Sequence, residues 1–89
     1  MRNIITAKLT KGYEHWETTF LSDTVQNIRA KAGITILGYG YSEETERVYV
    51  VQEMESVEVV QKVMAENQEL MKENGVDAST IQMIPLKDT

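Results

Sequence analysis

GITILGYGYSEETERVYVVQEME, the segment from Gly33 to Glu55, decides the fold of this chain. Two runs rich in β-branched and aromatic residues, at about 34–41 and 47–53, flank the polar sequence Ser-Glu-Glu-Thr-Glu, which has the length of a turn. Such residues suit a pleated, half-buried surface. The pattern therefore predicts a β-hairpin.

Both faces of the predicted hairpin carry apolar side chains, because successive residues of a strand point to opposite sides. In the first strand one face carries Ile34, Ile36, Gly38 and Gly40, and the other carries Thr35, Leu37, Tyr39 and Tyr41. In the second strand Val48, Val50 and Gln52 share one face, and Tyr49 and Val51 share the other. A sheet with one solvated face is apolar only at every second position. We therefore expect a cover over each face, from this chain or from a second copy. The strand glycines indicate a bulge or a close approach by another group, and we favour the bulge.

Length and composition limit the classes of protein. The 89 residues make one α+β domain, 1–89. The absence of cysteine excludes disulfides and thiolate metal sites, and a single histidine excludes a histidine-clustered metal site within one chain. The net charge of −5 opposes binding to nucleic acid. Neither a signal peptide nor an apolar run of membrane length is present, so we expect a cytoplasmic protein that binds no membrane. We also expect that the protein needs no cofactor.

The remaining elements surround the hairpin. A strand is predicted over 3–11, and an aromatic stripe at Tyr13, Trp16 and Phe20 predicts a helix after it. Ser22 or Asp23 is expected to cap a second helical segment that stops at Gly33. One long helix is predicted over 57–74, and a short strand over 80–86, in which proline suits an edge position.

The predicted order is β-α-β-β-α-β, with the first helix broken. That order is typical of the α+β class and of its ferredoxin-like arrangement, an antiparallel sheet with helices on one face. The second face of the sheet then has no cover in a monomer, and an exposed apolar surface of that size marks an interface or a binding groove. We therefore expect a homodimer through the sheet face, whose interior is either filled or a pocket.

The chain resembles the dimeric α+β barrel superfamily. The resemblance is carried by its length, the element order, the aromatic stripe from Tyr13-Glu14-His15-Trp16 to Phe20, the strand entry Ala32-Gly33-Ile34 and the run Tyr49-Val50-Val51-Gln52. The superfamily includes antibiotic-biosynthesis-monooxygenase-like proteins, stress-responsive barrel proteins and many small bacterial domains of unknown function, and the chain looks closest to the last group. The resemblance implies a dimeric barrel, in which the monooxygenase-like members hold an aromatic substrate between helix and sheet.

Seven residues are candidates for ligand contact, and no catalytic residue can be assigned. They are Lys8, His15, Trp16, Tyr39, Tyr41, Gln52 and Asn67. Six of them have an alternative role: the aromatic residues in core or interface packing, Lys8 and His15 as exposed side chains, and Asn67 in bonding to backbone. The leading hypothesis is a homodimer that binds a small hydrophobic or aromatic molecule, as a possible cofactor-independent enzyme. The alternative is a structural or regulatory homodimer without a ligand.

Overall fold

The computed structural model describes residues 1–87 and shows an antiparallel four-stranded sheet with helices on one face. The elements are β1 (Arg2–Lys8), α1 (Tyr13–Phe20), α2 (Asp23–Ala32), β2 (Thr35–Ser42), β3 (Arg47–Glu53), α3 (Val57–Glu66), α4 (Gln68–Glu73) and β4 (Gln82–Leu86), with a 3-10 turn at Ala78–Thr80. The strand order β2-β3-β1-β4 is that of the ferredoxin-like α+β fold, so the predicted fold class is confirmed. Within residues 1–87, no helix combines the length and the hydropathy that crossing a membrane requires.

The break between α1 and α2 occurs where the sequence predicts it. The Ser22 side chain accepts a hydrogen bond from the backbone N–H of Val25 at 3.4 Å, which caps the start of α2. At the other end, Gly33 adopts a left-handed conformation with φ of 72°. The N–H of Ile34 then donates to the carbonyl of Arg29 at 2.9 Å. This closure of the last turn directs the chain from α2 into β2.

We predict that Gly33→Ala lowers the free energy of unfolding by about 1 kcal/mol, because the left-handed conformation is unfavourable for a residue with a Cβ. A Cβ at this position would meet no atom within 4 Å, so the cost is one of backbone conformation alone. Urea denaturation at a fixed protein concentration measures the change. Gly33→Asn is the control and should lose less, since asparagine tolerates this conformation. An equal loss in the two variants would contradict the explanation.

The second helical region differs from the prediction, because the helix expected over 57–74 is divided at Asn67. The Asn67 side-chain Nδ2 donates to the carbonyl of Val63 at 2.8 Å and so occupies the acceptor that its own backbone N–H would use in a continuous helix. That backbone N–H instead donates to the carbonyl of Met64 at 3.3 Å. This local competition between side chain and backbone ends α3 at Glu66, and α4 starts at Gln68 after the non-helical backbone of Asn67.

The core lies between the sheet and the helices. One buried cluster joins Trp16 and Phe20 of α1 to Val48 and Val50 of β3. A second cluster contains Ile34, Met54 and Val60. Ile5 and Ala7 of β1 lie opposite Val50 and Val48 in the register. The face of β3 that Val48 and Val50 share, as predicted, is therefore the one that packs against the helices.

The face assignment predicted for β2 is wrong in its second half. A bulge lies between Ile36 and Gly38, so that Leu37 has no partner in the register of β3. One extra residue reverses the parity of everything that follows it. Tyr39 and Tyr41 therefore lie opposite Val50 and Val48, on the helix side of the sheet. The expected bulge is present, but it moves the two tyrosines away from the outer face.

The outer face of the sheet has no helix against it among residues 1–87. Its central positions are mainly apolar or carry no side chain: Ile4 of β1, Tyr49 and Val51 of β3, Ile84 of β4, and Gly38 and Gly40 of β2. Thr6 of β1, opposite Tyr49, is a buried polar residue among them. Ile84 is 45% exposed. Arg2 and Glu53 form an ion pair at 2.8 Å at one end of this surface. The outer face is thus an apolar centre with charged groups at its margin.

Candidate functional site

A cavity of about 170 Å³ lies between the inner face of the sheet and the helices. Its walls are mainly apolar side chains from both layers, among them Ile5, Trp16, Phe20, Val50, Val60 and Met64. An apolar cavity of about 150 Å³ holds one benzene molecule, so this space admits a ligand of single-ring size. A concave apolar space with few polar groups is typical of a small-molecule site.

A buried amide pair forms one polar part of the site. Gln52 of β3 lines the cavity, and its Nε2 donates to Asn3 Oδ1 at 3.0 Å. Asn3 is fully buried and lies directly opposite Gln52 in the register of β1 and β3. The Asn3 Nδ2 group points to the sulfur of Met54 at 3.6 Å. Strand pairing therefore holds the Gln52 amide in one position.

Asn74 provides an unpartnered acceptor. This residue follows α4, lines the cavity and is 9% exposed. Its Oδ1 atom has no hydrogen-bond partner within residues 1–87. The other buried side-chain atom without a partner in that range is Oγ1 of Thr6, in β1. A buried carbonyl oxygen without a donor is costly, so this atom is an unfavourable feature of the core beside the cavity. It has almost no accessible surface, so the oxygen itself does not border the open volume.

Arg29 of α2 brings a cation to the same cavity. Its guanidinium carbon lies 4.2 Å from the centroid of the Phe20 ring, and Nη2 donates to the Phe20 carbonyl at 3.0 Å. The side chain lines the cavity. Burial lowers the pKa of Arg29 below its usual value, because the apolar surroundings disfavour the charged form. The group nevertheless remains a cation at neutral pH.

The structure brings three of the seven candidate residues together at the cavity and places four outside it. Trp16, Gln52 and Asn67 line the cavity. Lys8, His15, Tyr39 and Tyr41 do not. Lys8 is exposed at the end of β1 and shares the outer sheet face with Thr6.

His15 lies at the end of α4. Its Nε2 atom is 2.8 Å from the carbonyl of Glu73, and Lys11 Nζ donates to the same oxygen at 3.3 Å. The last carbonyls of a helix lack partners within it, so these two side chains cap α4. His15 is exposed, which agrees with the alternative to ligand contact given for it above, an exposed side chain.

Tyr39 and Tyr41 belong to an aromatic row along α1 and β2. The Tyr39 ring lies 5.0 Å from Phe20 and 5.8 Å from Trp16, and the Tyr41 ring lies 5.3 Å from Tyr13, between centroids. The hydroxyl of Tyr39 donates to Glu17 Oε2 at 3.0 Å, and this bond to a carboxylate raises the pKa of Tyr39. These rings pack against one another along the edge strand β2, at the periphery of the core.

Sequence reasoning missed Arg29 and Asn74. The pair Asn74-Gly75 indicates the end of a helix and gives no indication of a ligand site. Arg29 follows Ile28 in the amphipathic pattern of α2, and nothing in that pattern distinguishes it from an exposed arginine. Only the position of Phe20 beneath it shows that its guanidinium is held at the cavity.

A wider surface groove of about 880 Å³ runs beside α3 and α4, where Met64 and Met71 meet the segment after α4. The lining of this groove includes the exposed side chains of Gln61, Gln68 and Lys72. The cavity between sheet and helices is lined mainly by apolar side chains, so we regard it as the better candidate. Among residues 1–87, no three histidine or carboxylate side chains converge in a way that could hold a metal ion.

Comparisons with known proteins agree with the fold. A family described as "Domain of unknown function (DUF3764)" matches residues 2–85. The crystal structure of protein Atu4242 from Agrobacterium tumefaciens is similar, with a TM-score of 0.70 and 15% sequence identity over 99% of this chain and 92% of that chain. At this identity the likeness shows the fold alone. No protein with a curated description matches the chain.

Proposed function

Since the chain belongs to the DUF3764 family of domains of unknown function, we propose from its cavity that it is a homodimeric small-molecule-binding protein of the dimeric α+β barrel type. The ligand occupies the space between sheet and helices. The second copy covers the outer face of the sheet.

The single observation that carries the ligand is the apolar cavity between the sheet and the helices. A filled core has no empty volume of single-ring size, because protein interiors pack as densely as organic crystals. Here about 170 Å³ remains open, with walls that are mainly apolar. A ligand with an apolar body of single-ring size would fill this volume.

The proposed dimer is supported by the outer face. Tyr49 and Val51 of β3 project from the middle of the sheet and are half-buried, with the side-chain-free surface of Gly38 beside them. A second sheet can approach such a surface closely. A two-fold arrangement would bring the same apolar centre of each copy together and leave the marginal charges at the rim, as in protein interfaces generally.

Enzyme activity of the monooxygenase-like type has weaker support. Trp16 and Asn67 are of the residue types that surround the substrate in that branch, and both line the cavity. His15, the remaining residue of that kind, lies outside, and Arg29 is the only ionisable side chain among the residues that line the cavity. General acid–base catalysis needs a group that exchanges protons near neutral pH. We therefore propose binding and assign no catalytic residue.

Native mass spectrometry of protein purified without added ligand tests the proposal. We expect a dimer that carries a small molecule, which denaturing conditions release. A dimer without any ligand would favour the structural or regulatory alternative. A monomer at micromolar concentration would contradict the assigned role of the outer face.

A matched pair of variants locates the interface. Val51→Lys places a charge in the centre of the outer face and is expected to convert the dimer to a monomer, because an unpaired charge is costly to bury. Gln61→Lys adds the same charge on the exposed side of α3 and should leave the dimer intact. Light scattering measures both. A dimer that persists in Val51→Lys would place the interface elsewhere.

A further inference from the structure

We infer that the cavity selects an anionic ligand, an apolar molecule of single-ring size whose carboxylate pairs with Arg29. This inference rests on the proposed function and specifies the class of ligand. It depends on the position of Arg29, the absence of a carboxylate partner for it among residues 1–87, and the size of the cavity.

Arg29 is a cation that, within the described part of the chain, is held in place without a carboxylate. Its guanidinium is fixed by the Phe20 ring at 4.2 Å and by the Phe20 carbonyl at 3.0 Å. The ion pairs within residues 1–87 are Arg2–Glu53 and Lys62–Glu66, so no carboxylate of that range lies within 4.0 Å of Arg29. A guanidinium has five N–H donors, and four of those of Arg29 have no protein acceptor in that range.

The surroundings of Arg29 increase the benefit of an anion. A partly desolvated charge is costly unless it is paired, and the lowered pKa of Arg29 reflects that cost. An arginine–carboxylate pair is planar and bidentate, and it is among the stronger hydrogen-bonded contacts. Since the Arg29 side chain lines the cavity, an anion at the guanidinium can extend its apolar part among Phe20 and the other walls.

The other two arginines differ from Arg29 in these respects. Arg2 is paired with Glu53 at 2.8 Å. Arg47 is half-buried and donates Nη1 to the carbonyl of Thr80 at 2.9 Å, but it does not line the cavity. Arg47 is therefore a matched control for Arg29, because it also makes one hydrogen bond to a backbone carbonyl and is also half-buried, but it does not line the cavity.

Isothermal titration calorimetry with benzoate and benzamide tests the inference, because the two probes have nearly the same shape and differ in charge. We expect the wild-type protein to bind benzoate at least about tenfold more tightly than benzamide, as a charge-assisted hydrogen bond implies. Arg29→Gln should lose that preference, because the substituted side chain carries no charge with which to distinguish the two probes. Arg47→Gln should retain the preference for benzoate.

The outcomes separate the two proposals. Equal binding of both probes by the wild-type protein, or an unchanged preference in Arg29→Gln, would overturn the role of Arg29 and leave ligand binding in the cavity standing. Failure of both probes to bind the wild-type protein would overturn the proposed function, and with it this inference. If Arg29→Gln does not fold by circular dichroism, Arg29→Lys keeps the charge and removes the planar fork. It should then prefer benzoate by less than the wild-type protein does.

Discussion

Trp16→Ala is expected to lower the free energy of unfolding by about 3–5 kcal/mol, the largest change we predict for a single substitution. Trp16 is 3% exposed, and its ring lies 4.4 Å from Phe20 and 5.7 Å from Tyr13, between centroids. Alanine would remove these contacts and enlarge the existing cavity. A domain of this size has a total stability of about 5–15 kcal/mol, so the variant should be partly unfolded or close to it.

Urea denaturation followed by far-ultraviolet circular dichroism measures this change without depending on tryptophan fluorescence. Tyr39→Ala is the control, because Tyr39 contacts the same ring but is 37% exposed. It should lose clearly less stability than Trp16→Ala. Comparable losses in the free energy of unfolding would contradict the position of Trp16 at the centre of the core and of Tyr39 at its edge.

The second prediction concerns the Asn3–Gln52 pair. Gln52→Met removes the donor to Asn3 Oδ1, and Asn3 is fully buried, so we expect a loss of about 1–3 kcal/mol. Asn3→Leu should cost a similar amount. The double variant should lose less than the sum of the two, because replacing both partners by apolar groups leaves no unpaired amide.

A double-mutant cycle in urea gives the coupling energy of the pair. Additive losses would show that the two amides act independently and would remove the reason given for the fixed position of Gln52. Benzamide titration of each stable variant adds a second measurement. Gln52→Met changes the cavity wall directly, whereas Asn3→Leu changes only the partner behind it.

Most of the fold could be predicted from local patterns. Alternating residues identified the two faces of β3, and the Ser22 cap and the Gly33 stop placed α2 within the chain. Pro85 indicated an edge strand, and β4 lies at the edge of the sheet. Each of these features depends on the alternation of a strand or on backbone chemistry within a few residues, which a sequence displays directly.

The candidate site was predicted only in part. Trp16, Gln52 and Asn67 line the cavity. Trp16 belongs to the predicted aromatic stripe, whereas alternation placed Gln52 with Val48 and Val50 without deciding which side of the sheet they face. Asn67 interrupts the helix that the sequence predicted as continuous, because its amide competes for the Val63 carbonyl. The patterns for α2 and for the end of α4 carried no sign that Arg29 and Asn74 share a cavity.

The opening hairpin shows where sequence and tertiary structure divide. By itself the sequence determined two apolar strands, their order among the helices and an α+β sheet with a face that no helix covers. Only the tertiary structure decided that a bulge at Leu37 turns Tyr39 and Tyr41 towards the helices. A bulge depends on how two strands pair, and a cavity depends on how layers meet; both involve residues far apart in the chain, whereas periodicity records only neighbours.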